Sequence, residues 1–250
     1  MAFDGLTDAY DKESMGASTE RHNARYDLTR DAQDQVAALS HQHAAAAQAA
    51  GVFDDEIVPV AVPQRRGEPV LVTADEGIIP DTTVESLAGL RAAFADGGSI
   101  TAGNSSQISD GASAVVVTTR GTAEAKGWPV LVTVGASGQT AGPDNSLQAQ
   151  PARAIERACE KQGIAPADLD VVEINEAFGA VVARSQVELG LSSDVVNIHG
   201  GGIAIGHPIG ASGTRLVVHV AHELARRGSG TAAVGLCGGG GQGEALILTR

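Results

Sequence analysis

The chain has 250 residues, 43% of them hydrophobic and 3% aromatic, with 32 glycines, a composition that fits a globular protein packed from small residues and excludes a disordered or fibrous one. A formal net charge of -13 opposes a nucleic-acid-binding surface, which needs clustered Lys and Arg. The two cysteines, Cys159 and Cys237, do not make a disulfide framework and point to a reduced, cytoplasmic setting; no apolar run approaches the roughly 18 residues a membrane helix needs, and the acidic start MAFDGLTDAYDKE lacks the features of a signal peptide.

Residues 1–30 read as polar and irregular. A helix is predicted over 31–50, with Thr29 as its N-cap and Gly51 closing it. Two short strands, 57–62 and 69–73, flank a turn at 64–67. A helix over 84–93 carries Leu87, Leu90 and Phe94 on one face. A glycine-serine loop, 97–111, precedes an apolar strand at 112–118.

From Trp128 the pattern changes to a strand at 130–134, a long loop at 135–148 and a helix at 150–162 whose stripe includes Ala154, Ile155, Ala158 and Cys159. Strands are predicted at 171–174, 195–198, 231–236 and 244–248, with helices at 176–189 and 212–227. This alternation implies an α/β domain with a mixed sheet covered by helices. The last two strands, joined through a glycine run, read as an antiparallel hairpin.

Ligands in α/β sheets collect at the carboxyl ends of strands. Asn175, His207 and Cys237 all follow strands there, and they converge if those strands are parallel. His207 sits within GGGIAIGHPIGASG at 200–213. It suits a general base or an oxyanion donor; the plainer role is a loop histidine bonded to backbone. Cys237 opens CGGGGQG. It reads as a proton shuttle, a nucleophile or a small buried hydrophobe, and the glycines after it can offer N–H groups to an oxyanion. A cysteine acting as base is expected to have a lowered pKa. Asn175 can hold a water, donate to an oxygen or cap the next helix. Ser106 touches a ligand or sits in a surface turn. The glycine spacing matches neither a dinucleotide fingerprint nor a phosphate loop. His41 and His43, two apart on a helix, do not face each other, so no metal site is expected.

The segments DGLTD (4–8), MG (15–16), DEIVPV (55–60), TAGNSS (101–106), DGASA (110–114), NEAF (175–178), GHPIGASG (206–213) and CGGGGQGEA (237–245) resemble motifs of the thiolase family, in thiolase order. The resemblance implies a layered α-β-α-β-α fold, incomplete here, with a mixed five-stranded sheet in its C-terminal domain. Residues 1–108 resemble the coenzyme-binding loop domain, 109–128 the last elements of the N-terminal domain, and 129–250 the C-terminal domain. By resemblance, Asn175 holds a catalytic water that forms one oxyanion hole with His207, and Gly239 lends its N–H to a second. Cys237 moves the α-proton of the acyl acceptor, while Ser106 and Met15 lie on the coenzyme A side.

The implied activity is Claisen condensation of acetyl-coenzyme A, or thiolysis of a 3-oxoacyl-coenzyme A, with no permanently bound cofactor and a homodimer or homotetramer as the intact enzyme. The family's acyl-accepting cysteine belongs to a domain that these residues do not include. Ser14 stands where many relatives carry histidine, and the loop 142–147 lacks their methionine. The alternatives are a non-catalytic coenzyme A or lipid-carrier module, or an inactive fragment.

Overall fold

A computed structural model describes all 250 residues. In chain order the helices before the main sheet are α1 (Ala2–Gly5), α2 (Met15–Asn23), α3 (Arg30–Ala49), α4 (Val84–Ala88) and α5 (Arg120–Lys126); β1 (Val60–Val62) and β2 (Val70–Val72) form an exposed antiparallel hairpin between α3 and α4. The second half runs β3 (Thr133–Ala141), α6 (Gln150–Gln162), β4 (Val171–Ile174), α7 (Gly179–Leu189), α8 (Gly202–Ile205), α9 (Ser212–Arg227), β5 (Thr231–Gly238) and β6 (Gln242–Thr249).

The main sheet has the order β3-β6-β5-β4, mixed as expected, with β4 and β5 parallel and the other pairs antiparallel. Side chains alternate across it. Val172, Ile174, Ala233 and Ile247 face one core with α6, α7 and part of α3, whereas Val171, Ala232, Val234 and Leu248 pack on Leu216, Val220 and Leu224 of α9. Strand periodicity thus places the sheet between two helical layers.

The sheet holds four regular strands, not the five expected. Residues 195–198 join its edge through the single parallel bridge Val172↔Val196. Past that bridge the chain turns away at Asn197, whose φ is +50°. The Asn197 side chain then replaces the missing backbone partner: its Oδ1 accepts the Ile174 N–H at 2.8 Å and its Nδ2 donates to the Ile174 carbonyl at 2.9 Å.

Other boundaries differ for identifiable reasons. Residues 1–30 are not irregular: Ser14 caps α2 by accepting the Ala17 N–H, and a 3-10 turn follows at Ala24–Tyr26. The third strand covers much of the segment expected to be loop, 135–148. Its glycines are needed there, because a Cβ on Gly138 would stand 1.9 Å from the Ala154 carbonyl oxygen of α6. The helix expected over 84–93 stops at Ala88. Residues 112–118 form no strand, and Val116 and Val117 are 85% and 75% exposed; no neighbouring strand satisfies their backbone. No helix is long and apolar enough to cross a membrane.

Candidate active site

Asn175 directly follows β4, and its backbone N–H donates to the Gly235 carbonyl of β5 at 2.9 Å. This last rung of the parallel ladder fixes where its side chain begins. The helix expected from Glu176 starts only at Gly179, with Phe178 as its N-cap residue and no side-chain cap, so Asn175 is not a helix cap. Residues 175–178 instead lie against 104–106. Ser106 N–H donates to the Ala177 carbonyl at 3.1 Å, Ser105 bridges Phe178, and Gly179 N–H donates to the Asn104 carbonyl at 2.8 Å.

His207 arrives from the opposite side. Its loop turns at Gly206, where φ is +95° and a Cβ would fall 2.1 Å from the Ser109 hydroxyl, a position only glycine fills without strain. The His207 Nε2 stands 3.2 Å from Nδ2 of Asn175, and its Nδ1 stands 2.6 Å from the Ser212 hydroxyl. The Ser212 oxygen is also 2.9 Å from the Pro208 carbonyl. Two proton arrangements fit. With Nδ1 protonated, the ring donates to Ser212 and accepts from the Asn175 amide. With Ser212 donating to Nδ1 instead of to the Pro208 carbonyl, Nε2 carries the proton, and the Asn175 amide must turn its oxygen toward the ring to accept it. Asn175 Oδ1 is buried without a protein partner. Burial, followed by the nearby positive charge of Arg215, lowers the His207 pKa, so the ring is neutral near pH 7.

Cys237 lies near the carboxyl end of β5, paired in register with Gly243 of β6. That is the end of the parallel pair at which Asn175 sits. Its thiol does not show the expected lowering: burial pushes it up to about 12. The side chain packs against the main core, and that apolar setting disfavours the thiolate. The turn after it approaches the N-terminal segment. A Cβ on Gly239 would be 3.8 Å from the Met15 sulfur, and Gly240 N–H donates to Asp8 Oδ2 at 3.2 Å. Met15 therefore borders the Cys237 turn. Ser106 is half-buried on the segment bracing Asn175, and Cys159 is buried in the α6 stripe as expected.

Sequence reasoning missed the residues that hold these groups. Glu176, read as a helix opener, is buried; its Oε2 accepts from the Ser40 hydroxyl at 2.5 Å and from Ile203 N–H at 3.0 Å, and its Oε1 accepts from Asn197 Nδ2 at 2.8 Å. An acid inside an otherwise apolar stretch beside a candidate residue was the available signal. Arg215 pairs with the fully buried Glu173 at 3.2 Å, and its register one turn after Ser212 on α9 became meaningful only once α9 was docked. Burial raises the carboxyl pKa of both Glu173 and Glu176, against neighbouring charge from His219 and Arg215 at Glu173 and hydrogen bonds at Glu176.

Two family models match in tandem: the thiolase N-terminal domain over residues 1–121 and the thiolase C-terminal domain over 128–250. A probable acetyl-CoA acetyltransferase from Mycolicibacterium smegmatis is 56% identical over 250 residues, covering 100% of this chain and 64% of that protein. An acetyl-CoA acetyltransferase from Chromobacterium violaceum is 46% identical with the same coverage. Among solved structures, the Bacillus anthracis acetyl-CoA acetyltransferase superposes with a TM-score of 0.93 at 39% identity, over 98% of this chain and 62% of that one. Human mitochondrial 3-ketoacyl-CoA thiolase in complex with CoA gives 0.91 at 35% identity, over 98% and 61%. The chain thus spans less than two thirds of the length of each of these relatives. It belongs to the thiolase family.

Proposed function

From membership of the thiolase family, we propose that this chain carries the oxyanion-binding and proton-transfer groups of an acyltransferase acting on coenzyme A thioesters. The reaction is Claisen condensation of acetyl-coenzyme A, or its reverse, thiolysis of a 3-oxoacyl-coenzyme A. The observation that supports this reading most directly is the 3.2 Å approach of Asn175 to His207, at the strand end that also presents Cys237. A neutral His207 with its proton on Nε2, beside the Asn175 amide and a water it holds, polarises the thioester carbonyl. Such preorganised donors are commonly the largest catalytic contribution. Gly239 N–H serves the second carbonyl oxygen.

A Cys237 thiol at about 12 is a weak proton donor at rest and a strong base once deprotonated, so it acts as a base only after a thiolate has taken its proton. When an acyl group passes from coenzyme A to a nucleophilic thiolate, the departing coenzyme thiolate takes the Cys237 proton. The Cys237 thiolate left behind is strongly basic and removes the α-proton of acetyl-coenzyme A, which regenerates the thiol. The enolate carbon attacks the acyl-enzyme carbonyl, and the nucleophile's thiolate leaves. The nucleophilic cysteine that takes the acyl group is supplied from outside these residues, since Cys159 is sealed in the α6 core. Residues 1–108, with Ser106 and Met15, serve the coenzyme side, and the working enzyme is a cytoplasmic homodimer or homotetramer.

The test pairs the chain, by fusion or co-expression, with a thiolase segment that bears a nucleophilic cysteine, and follows acetoacetyl-coenzyme A cleavage. Turnover that depends on Cys237 and His207 is expected. Coenzyme A binding without turnover on any 3-oxoacyl chain length would replace this reading with a non-catalytic carrier module, and neither binding nor turnover would leave an inactive fragment.

A further inference from the structure

The stretch 104–107 touches both halves of the candidate site. On one side, Asn104, Ser105 and Ser106 hold residues 177–179, next to Asn175. On the other, Gln107 holds the histidine loop. Its Nε2 points at three backbone carbonyls: Gly77 at 2.9 Å, Ile203 at 3.0 Å and Ala204 at 3.0 Å. Its own carbonyl accepts the His207 N–H at 3.2 Å.

The chemistry requires an amide. Ile203 and Ala204 lie in the four-residue helix α8, and the last carbonyls of any helix lack internal partners. A side-chain NH2 with two hydrogens can serve these acceptors by sharing one of them. Space around it is limited: a Cβ on Gly77 would stand 2.4 Å from Gln107 Oε1 and 2.8 Å from the Ala204 carbonyl.

We propose that Gln107 is a positioning residue for His207: it caps the carboxyl end of α8, takes the backbone N–H of the histidine, and so sets the ring's distance to Asn175 through the brace 104–107. The catalytic consequence rests on the proposed function; the structural claim does not. Methionine at 107 keeps the volume and removes both donors. Glutamate keeps the shape but, when ionised, turns an acceptor toward three carbonyls.

The experiment measures amide hydrogen exchange of 202–208 and the imidazole nitrogen resonances of His207 by NMR, in the chain and in its Gln107→Met and Gln107→Glu variants. Gln107→Met is expected to exchange at least tenfold faster at Gly206 and His207 and to move the His207 titration toward that of a solvated imidazole. Gln107→Glu is expected to behave likewise at neutral pH and, measured against the parent chain at the same pH, to recover protection on acidification, because a protonated carboxyl regains one O–H donor. The comparison removes the common effect of His207, His199 and His41, whose lowered pKa values cost the parent stability as well. That pH-reversible rescue is a readout that space-filling alone does not produce. In the reconstituted acyltransferase, kcat falls at least tenfold while KM for the thioester stays within twofold. Unchanged exchange and unchanged His207 resonances in Gln107→Met overturn the proposal, whether or not turnover is ever observed. So does a Gln107→Glu chain that is equally unprotected or unfolded at every pH. Absent turnover in the parent, with the NMR results as expected, removes the acyltransferase reading and leaves the brace.

Discussion

The Ser212 hydroxyl stands 2.6 Å from Nδ1 of His207 while Asn175 stands 3.2 Å from Nε2, so whether the serine donates to Nδ1 or to the Pro208 carbonyl decides which ring nitrogen carries the proton. In the arrangement with Ser212 donating to Nδ1, which the proposed function uses, removing that hydroxyl lets Nδ1 hold the proton and leaves Nε2 a poor donor. In the reconstituted enzyme, Ser212→Ala is expected to lower kcat about tenfold. His207→Ala removes the donor itself and is expected to cost about 10²–10³ in kcat, the usual range for one oxyanion-hole donor. Steady-state thiolysis rates check both, and a Ser212→Ala enzyme as slow as His207→Ala contradicts a purely orienting serine.

Cys237→Ala is expected to abolish condensation and thiolysis while preserving part of the acyl loading of the external nucleophile, which mass spectrometry of the trapped acyl-enzyme resolves. A thiol at about 12 also predicts slow alkylation. Iodoacetamide at pH 8 should label Cys237 far more slowly than a free cysteine with its pKa near 8.5. Rapid labelling there would refute the neutral resting thiol.

Three histidines, His41, His199 and His207, have lowered pKa values, chiefly through burial, and His199 lies at about 4. Each binds its proton more weakly folded than unfolded. The stability tied to their neutral forms is therefore complete above the unfolded value near 6.5 and is lost as pH falls from there toward 4. The raised carboxyls of Glu173 and Glu176 act in the opposite sense, so the check is a difference: between pH 7 and pH 5 the urea midpoint of His199→Gln should fall less, or rise more, than that of the parent. An unchanged slope in the variant would show that His199 does not contribute.

The exposed run at Val115, Val116 and Val117, with Ile108 also 74% exposed, presents an apolar stretch that no neighbouring strand pairs. Such stretches pair with other chains. The isolated chain is expected to self-associate, and Val116→Lys should raise its monomeric fraction in sedimentation velocity. A fully monomeric parent would show that this run is masked in solution.

At the sheet, Gly138→Ala places a methyl group against the Ala154 carbonyl. Thermal unfolding should show a loss of about 1–3 kcal/mol, as overpacking of a core typically gives. A neutral substitution would mean that α6 can shift away from the third strand.

Long periodic helices were legible: α6 and α9 fall where their apolar spacing puts them, and Thr29 caps α3 by accepting the Ala32 N–H. The third strand was not legible, because Gly135, Ser137 and Gly138 read as loop when their smallness serves contact with a helix. Likewise 195–198 carries strand-forming residues, yet pairing fails beyond the point where the Asn197 side chain completes the edge. For the site, glycine density and motif order singled out Asn175, His207 and Cys237. Of the groups that orient them, Ser212 lies only five residues from His207 but meets it through the turn into α9, while Gln107 and Glu176 act across tens of residues, contacts that no local spacing marks.

Glu176 joins α3 through Ser40, α8 through the Ile203 N–H and the sheet edge through Asn197. One carboxylate therefore closes loops of very different span, and it is desolvated only when all three segments are in place. The entropy of those closures is lost before the carboxylate has its full set of donors, so the histidine loop is expected to gain its native form late in folding, after α3 has docked, an order that pulsed hydrogen exchange at 202–208 and 30–49 checks. The same dependence runs backward in the native ensemble. Partial undocking of α3 would release the loop as one cooperative unit, making a helix far from His207 in sequence a timer for the maturation of its surroundings.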